Sequence, residues 1–185
     1  MIAALVAGAS LAPASSRADT LHTDSDYVEH EGVVDEMVVD MTPRAEVGYR
    51  RGRRVAIKVV QLGWADVEVA TAKAFLAMRE AARADGVDLW IRSGFRSMEQ
   101  QRWLYAAWKA GWGNKAARPG HSNHQSGRAL DLYVDDPATY GWLKQHARRF
   151  GFKETVRGEP WHWEYTKPPP KKKSKKRKAP SKKGR

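Results

Sequence analysis

Beyond residue 166 the chain cannot build a core. Residues 167–185 hold eleven Lys or Arg and no Asp or Glu, and three consecutive prolines follow Lys167. A segment of that composition has too little apolar surface to offset the entropy lost on folding, so it is expected to be a disordered Lys-rich tail. Any folded domain must come from the first 166 residues. Those residues keep 22 of the 33 basic side chains against all 21 acidic ones, a net charge of +1, so the overall charge of +12 belongs to the tail. A domain that reads nucleic acid carries its positive charge on the folded surface; here that surface is near neutral, and no specific nucleic-acid partner is expected. With 42% apolar residues, one domain of ordinary size can be filled. The chain has no cysteine, which excludes disulfides and thiolate ligands, so a bound metal must rest on His, Asp or Glu.

Residues 1–18 are small and apolar and end in Ser16-Arg17-Ala18, a small-x-small pattern. They read as a signal peptide, which would make the protein exported, to the periplasm or cell envelope. The run is too short for a bilayer-spanning helix, and no transmembrane helix is expected in the mature chain. Residues 19–44 are acidic and lack a steady period, and read as a linker or irregular lead-in, with the patch V-V-D-E-M-V-V-D-M at 33–41 as a candidate for a short strand or for packing on the domain. The domain is expected over 45–166.

Within it, the β-branched run at 55–60 predicts a strand. Asp66 looks like the N-cap of a helix with Ala70, Ala74, Phe75, Met78 and Ala82 on its apolar face, stopped by Gly86. Residues 87–93 predict a second strand. Ser97 and Gln100 form a capping-box pattern that opens a helix reaching Gly111. The run 129–134 predicts a strand, Asp136-Pro137 opens a helix that ends at Gly151, and 152–156 predict another strand. Taken together, the expected fold class is α+β, a small and mainly antiparallel sheet with flanking helices.

Two polar clusters stand out against this scaffold. One is P-G-H-S-N-H-Q-S-G-R-A-L-D at 119–131; the other is E-P-W-H-W-E-Y at 159–165. His124, Asp131 and His162 offer two imidazoles and a carboxylate, a donor set that suits one Zn²⁺ with an open fourth position. A water on such an ion has its pKa lowered to about 7. Glu159 could move its proton to a leaving amine, and Arg96, at a strand-to-helix junction, could stabilise a developing oxyanion. Spacing alone leaves alternatives open. His124 and Asp131 also read as ordinary hydrogen-bonded residues, His121 competes as a ligand, and Arg96 reads equally as a surface arginine paired with a carboxylate. Trp161 and Trp163, either side of His162, read as cleft walls or as core. His22, His30 and His146 read as surface or packing residues.

S-G-F-R-S-x-x-x-Q at 93–101, S-x-H-x-x-G-x-A-x-D at 122–131 and E-x-W-H at 159–162 together resemble the motifs of the VanY-type D-alanyl-D-alanine carboxypeptidases. These are LAS metallopeptidases, a group that includes lysostaphin-type enzymes and hedgehog domains. The resemblance spans roughly residues 50–166 and shows no departure at the catalytic positions. It implies the LAS/hedgehog-like fold, and His124, Asp131 and His162 as zinc ligands. It also implies Glu159 as general base and Arg96 as the contact to a carbonyl or carboxylate, with Ser122 and Gln101 as contacts either to the substrate or to the residues around the ion. His121 falls at a variable position of the motif. The implied activity is hydrolysis of a peptide bond in peptidoglycan stem peptides, with release of C-terminal D-alanine. An endopeptidase or lysin is the first alternative, and a non-catalytic zinc-stabilised envelope-binding module the second. The tail reads either as a contact to anionic envelope polymers or as a solvated extension.

Overall fold

The computed structural model describes residues 36–167. The expected signal peptide, most of the acidic lead-in and all of the Lys-rich tail beyond Lys167 lie outside the described residues. Among the described residues no helix is long and apolar enough to cross a membrane.

The fold is α+β, but it has two antiparallel sheets where one was expected. The first contains β1 (Val39–Arg50), β2 (Arg53–Leu62) and β3 (Ala65–Glu68), in that order. The second contains β4 (Ile91–Ser93), β5 (Ala129–Leu132), β6 (Phe152–Glu154) and β7 (His162–Tyr165), ordered β4-β5-β7-β6. The helices are α1 (Val69–Ala84), α2 (Met98–Lys109) and α3 (Pro137–His146), joined by 3-10 turns at Asn123–Ser126 and Ala147–Phe150.

The first sheet accounts for most departures from expectation. β1 starts at Val39, six residues before the expected start of the domain, and Met37 ahead of it is buried. Its first residues and Met37 belong to the 33–41 patch; beyond it the sequence hides the strand, because polar and apolar positions do not alternate cleanly and the register with β2 shifts between Asp40 and Arg44. Asp66 is not a helix cap. It lies in β3, opposite Gln61, and its side chain pairs with Arg44. Gly63, with φ +60, makes the two-residue turn that brings Ala65 opposite Leu62. Strand pairing thus carries the chain two residues further, and Glu68 caps α1 by accepting from the Thr71 amide at 3.0 Å. The expected face holds at Phe75, Met78 and Ala82 and shifts only at the start of the helix. Ala70 is exposed, while Thr71, Ala72, Phe75, Met78 and Ala82 are buried.

Local signals elsewhere hold. Ser97 and Gln100 form the reciprocal capping box, and Asp136 accepts from the Ala138 amide with Pro137 in the first turn. Gly86, Gly111 and Gly151 take positive φ where their helices stop. The strand expected over 87–93 is limited to 91–93, because only Ile91 and Ser93 find partners on β5.

The core joins both sheets. Val60, Leu62 and Val67 of the first sheet pack with Phe75, Met78 and Ala82 of α1 and with Leu130, Leu132, Phe152 and Trp163 of the second. Trp163 is therefore core, with its indole N–H donated to the Pro160 carbonyl at 2.9 Å, whereas Trp161 is 38% exposed.

Candidate active site

The site grows from the register of the second sheet. Ser93 lies opposite Asp131, and Asp131 lies opposite His162, so β4, β5 and β7 each contribute a polar residue at one level. Directly opposed side chains share a face about 4.5–5.5 Å apart. The neighbouring pair Leu130 and Trp163 faces the core, which leaves Asp131 and His162 on the opposite face.

His124 reaches this row from the 3-10 turn before β5. Gly127 ends that turn with φ +71, and a Cβ there would lie 2.7 Å from the Glu68 Cβ, so only glycine fits the passage from His124 to Asp131. His124 Nδ1 donates to the Gly94 carbonyl at 2.7 Å. That bond fixes the tautomer and leaves Nε2 as the free donor atom.

Nε2 of His124 is 3.2 Å from Asp131 Oδ1, and Nδ1 of His162 is 3.0 Å from the same oxygen. Candidate ligand atoms of the three residues all lie within 4.8 Å of one another, and all three residues are buried. Ligands about 2.0–2.1 Å from a tetrahedral ion stand roughly 3.3 Å apart. The two short edges match that spacing, and the donor set suits zinc, so the residues fit a metal ion.

Surrounding groups orient the donors. Arg96 Nη2 donates to Asp131 Oδ2 at 2.8 Å, and its Nε and Nη2 both donate to Ser93 Oγ. The far side of the His162 ring, Nε2, lies 3.3 Å from Glu164 Oε1, which also accepts from Asn123 Nδ2 and Thr155 Oγ1. A carboxylate behind a ligating imidazole holds the ring in place and raises its basicity.

The electrostatics follow from burial and partners. Burial pushes His124 below the ordinary imidazole value, helped by the charges of Arg96 and His162 and opposed by Asp131. Burial works against charge on His162 too, but its hydrogen bonds to Asp131 and Glu164 outweigh it and push the pKa up to about 9. Burial would raise Asp131; its bonds to His124 and His162 and the charge of Arg96 prevail and hold it well below the usual carboxylate range. Glu164 is lowered in the same way, burial being outweighed by His162, Thr155 and Asn123. Arg96 is lowered by burial, with Asp131 and then Glu159 opposing.

The structure brings His124, Asp131, His162 and Arg96 into one group. The charge of Glu159 is felt at Arg96, and among the described residues its carboxylate has no hydrogen-bonding partner. Gln101 is buried; its amide N–H donates to the Ala117 carbonyl at 2.9 Å and its Oε1 is unpartnered. Ser122 is buried and lines a cleft next to the group, as does His121, which stands apart from the three donors. His146 packs against Trp142 and Arg149. Sequence reasoning missed Glu164, Ser93 and the Gly94 carbonyl. Glu164 had a signal: it follows His162 by two residues on a strand and so shares its face.

The family described as VanY, D-alanyl-D-alanine carboxypeptidase, matches residues 65–168. The chain belongs to this family. It is 35% identical over 115 residues to a D-alanyl-D-alanine carboxypeptidase of Enterococcus faecalis, covering 46% of this chain and 43% of that relative. The chain thus spans less than half the length of that curated relative. Among solved structures it resembles a vancomycin-resistance D,D-pentapeptidase VanY variant in complex with Zn(II). The TM-score is 0.53 and the identity 28%, over 60% of this chain and 79% of the other. It also resembles VanYB in complex with D-alanine-D-alanine, with TM-score 0.55 and 27% identity over 64% of this chain and 84% of the other. Membership of the VanY family agrees with the antiparallel α+β architecture. The hairpin of β1 and β2 precedes the matched span.

Proposed function

We propose that this chain hydrolyses a peptide bond in peptidoglycan stem peptides, releasing the C-terminal D-alanine, with one zinc ion as cofactor. The observation that carries the reading is the buried His124–Asp131–His162 group, in a chain of a D-alanyl-D-alanine carboxypeptidase family. The Zn(II) and D-alanine-D-alanine complexes of the two VanY relatives support the choice of ion and of substrate class. The substrate makes the site of action extracytoplasmic, in keeping with the expected export.

His124 Nε2, Asp131 and His162 Nδ1 would hold the ion. When bound, zinc would supply Lewis acidity toward the scissile carbonyl and make a water acidic enough to attack near neutral pH. Glu159 accepts the proton of the attacking water and returns it to the departing amine, for which an unpartnered carboxylate beside the group is suited. Arg96 has a double duty. It orients Asp131 through Oδ2, and its remaining N–H donors meet the negative charge that develops on the carbonyl oxygen. Gly94 and Glu164 keep the two imidazoles in their ligating tautomers. Ser122 and Gln101 are assigned to substrate contact, Ser122 from the adjoining cleft and Gln101 from its place in the S-G-F-R-S-x-x-x-Q motif.

The test is mass spectrometry of purified muropeptides incubated with the zinc-loaded protein. Loss of a single alanine from pentapeptide stems is the expected outcome. Cleavage within the stem or cross-bridge would turn the assignment to an endopeptidase, and intact muropeptides would reduce it to a binding module.

A further inference from the structure

The tip of the β1–β2 hairpin rests on the loop that carries His124. The Gly52 amide donates to the Gly120 carbonyl at 2.8 Å, and a Cβ at Gly48 would come within 2.9 Å of the Gln125 carbonyl. Hairpin and loop together enclose an open cleft of about 370 Å³ whose lining includes Arg50, Arg51, His121, Ser122, Arg128 and Glu164. It lies behind the candidate metal group, whose three donors do not line it, and two residues link the cleft to them. Ser122 is two residues before His124, and Glu164 is 3.3 Å from the His162 ring.

The charge in this cleft is unbalanced. Among the described residues Arg50, Arg51 and Arg128 have no ion-pair partner, and Arg128 Nε is buried without a hydrogen bond. Glu164 is the one acidic residue in the lining, set against three arginines, and its Oε1 already accepts from Asn123 and Thr155 and faces His162 Nε2. Arg51 also sits at φ +50, in a two-residue turn with Gly52 at φ +80. Asparagine or glycine fills such a position without strain, and arginine does not. A strained arginine beside an unsatisfied one points to a ligand.

We propose that this cleft is a carboxylate subsite, in which Arg50, Arg51 and Arg128 hold a carboxylate of the peptide cut at the neighbouring metal group. The inference rests on the proposed function for its substrate and deepens it. Guanidinium forks match carboxylates in a bidentate manner, and the donors that Arg96 keeps beyond Asp131 and Ser93 are assigned to the reacting carbonyl. The stem peptide offers two such groups, the terminal carboxylate and the free α-carboxylate of its γ-linked D-glutamate.

Calorimetry on the full chain, zinc-loaded and carrying Glu159→Gln, reads binding apart from turnover. The ligands are L-Ala-γ-D-Glu-L-Lys-D-Ala-D-Ala, its C-terminal amide, and the peptide with its free glutamate α-carboxylate made a carboxamide. One amide is expected to bind about tenfold more weakly than the acid, and which one it is identifies the carboxylate held. Arg50→Gln with Arg51→Asn is expected to bring that ratio close to one while the melting temperature stays or rises, because asparagine suits the left-handed turn. Arg128→Gln is a second route to the same loss with the hairpin intact. Equal binding of all three peptides, or full discrimination retained in both variants, overturns the subsite. Hydrolysis of the same peptides by the unaltered protein is scored separately. Discrimination without turnover overturns the reaction and keeps the subsite; turnover without discrimination does the reverse.

Discussion

The four-stranded sheet and the tip of the β1–β2 hairpin approach the same loop from two sides and treat charge in opposite ways. On the sheet, charge is buried and paired. Asp131 is met by His124, His162 and Arg96, and Glu164 by His162, Asn123 and Thr155. At the hairpin, Arg50 and Arg51 are exposed and unpaired among the described residues. Charge that has been taken out of water must be matched atom by atom, so the sheet half is rigid and sensitive to geometry. Solvated charge needs only to be near its target, so the hairpin half is sensitive to sign and to salt.

Substitutions sharpen this contrast in order of size. Glu159→Gln on the sheet side is expected to lower kcat by about 10²–10⁴-fold with zinc content unchanged, as read by steady-state assay and metal analysis; near-normal turnover takes Glu159 out of the mechanism. Glu164→Gln keeps the fold but weakens the hold on His162, with zinc affinity reduced by about 10–100-fold in a competitive chelator titration. Undiminished affinity would mean that the carboxylate behind the ring is idle. Gly127→Ala forces a left-handed backbone on a residue with a side chain and drives its Cβ into Glu68, for a loss of about 1–3 kcal/mol in urea unfolding.

On the four-stranded sheet the contrast extends to pH. With metal removed, the His162 pKa rises from 6.5 to about 9 on folding. The stability this contributes is complete below about pH 6.5 and is lost as pH climbs through 9. The melting temperature of the chelated protein should therefore fall over that window, and zinc binding at pH 7 should release a proton, detectable in buffers of different ionisation enthalpy. A flat profile would break the His162–Asp131 pairing. The smallest effect is expected at the three-stranded sheet, where the exposed Arg44–Asp66 pair should contribute no more than about 1 kcal/mol, so Arg44→Ala barely moves the unfolding midpoint.

What could be read in advance was local. The capping box at Ser97, the Asp136-Pro137 helix start and the stops at Gly86, Gly111 and Gly151 each depend on a few consecutive residues. Of the first sheet, β2 was legible from its β-branched run, but most of β1 and all of β3 were hidden because their signals are not local. The turn that joins β1 to β2 is Arg51-Gly52, not an Asn-Gly or Asp-Gly pair, and β1 carries a register shift that blurs its alternation. Asp66 has the chemistry of a helix cap, and only its pairing with Gln61 reveals it as strand. Trp163 was open between cleft and core until its strand partner Leu130 put it inside.

The chain's residues alone determined the donor chemistry. Without cysteine, a metal can rest only on nitrogen and oxygen, and the short motifs around His124, Asp131 and His162 carry those donors in a recognisable order. Tertiary structure decided how the donors are held. It brought Asp131 opposite His162 across 31 residues of sequence, seated Arg96 on Asp131 across 35, and left His121 in the neighbouring cleft. It also supplied the Glu164 carboxylate and the Gly94 carbonyl that orient the two rings. The physical reason is that strand register and chain crossing set which face a side chain takes, and a shift of one residue would send Asp131 and His162 into the core.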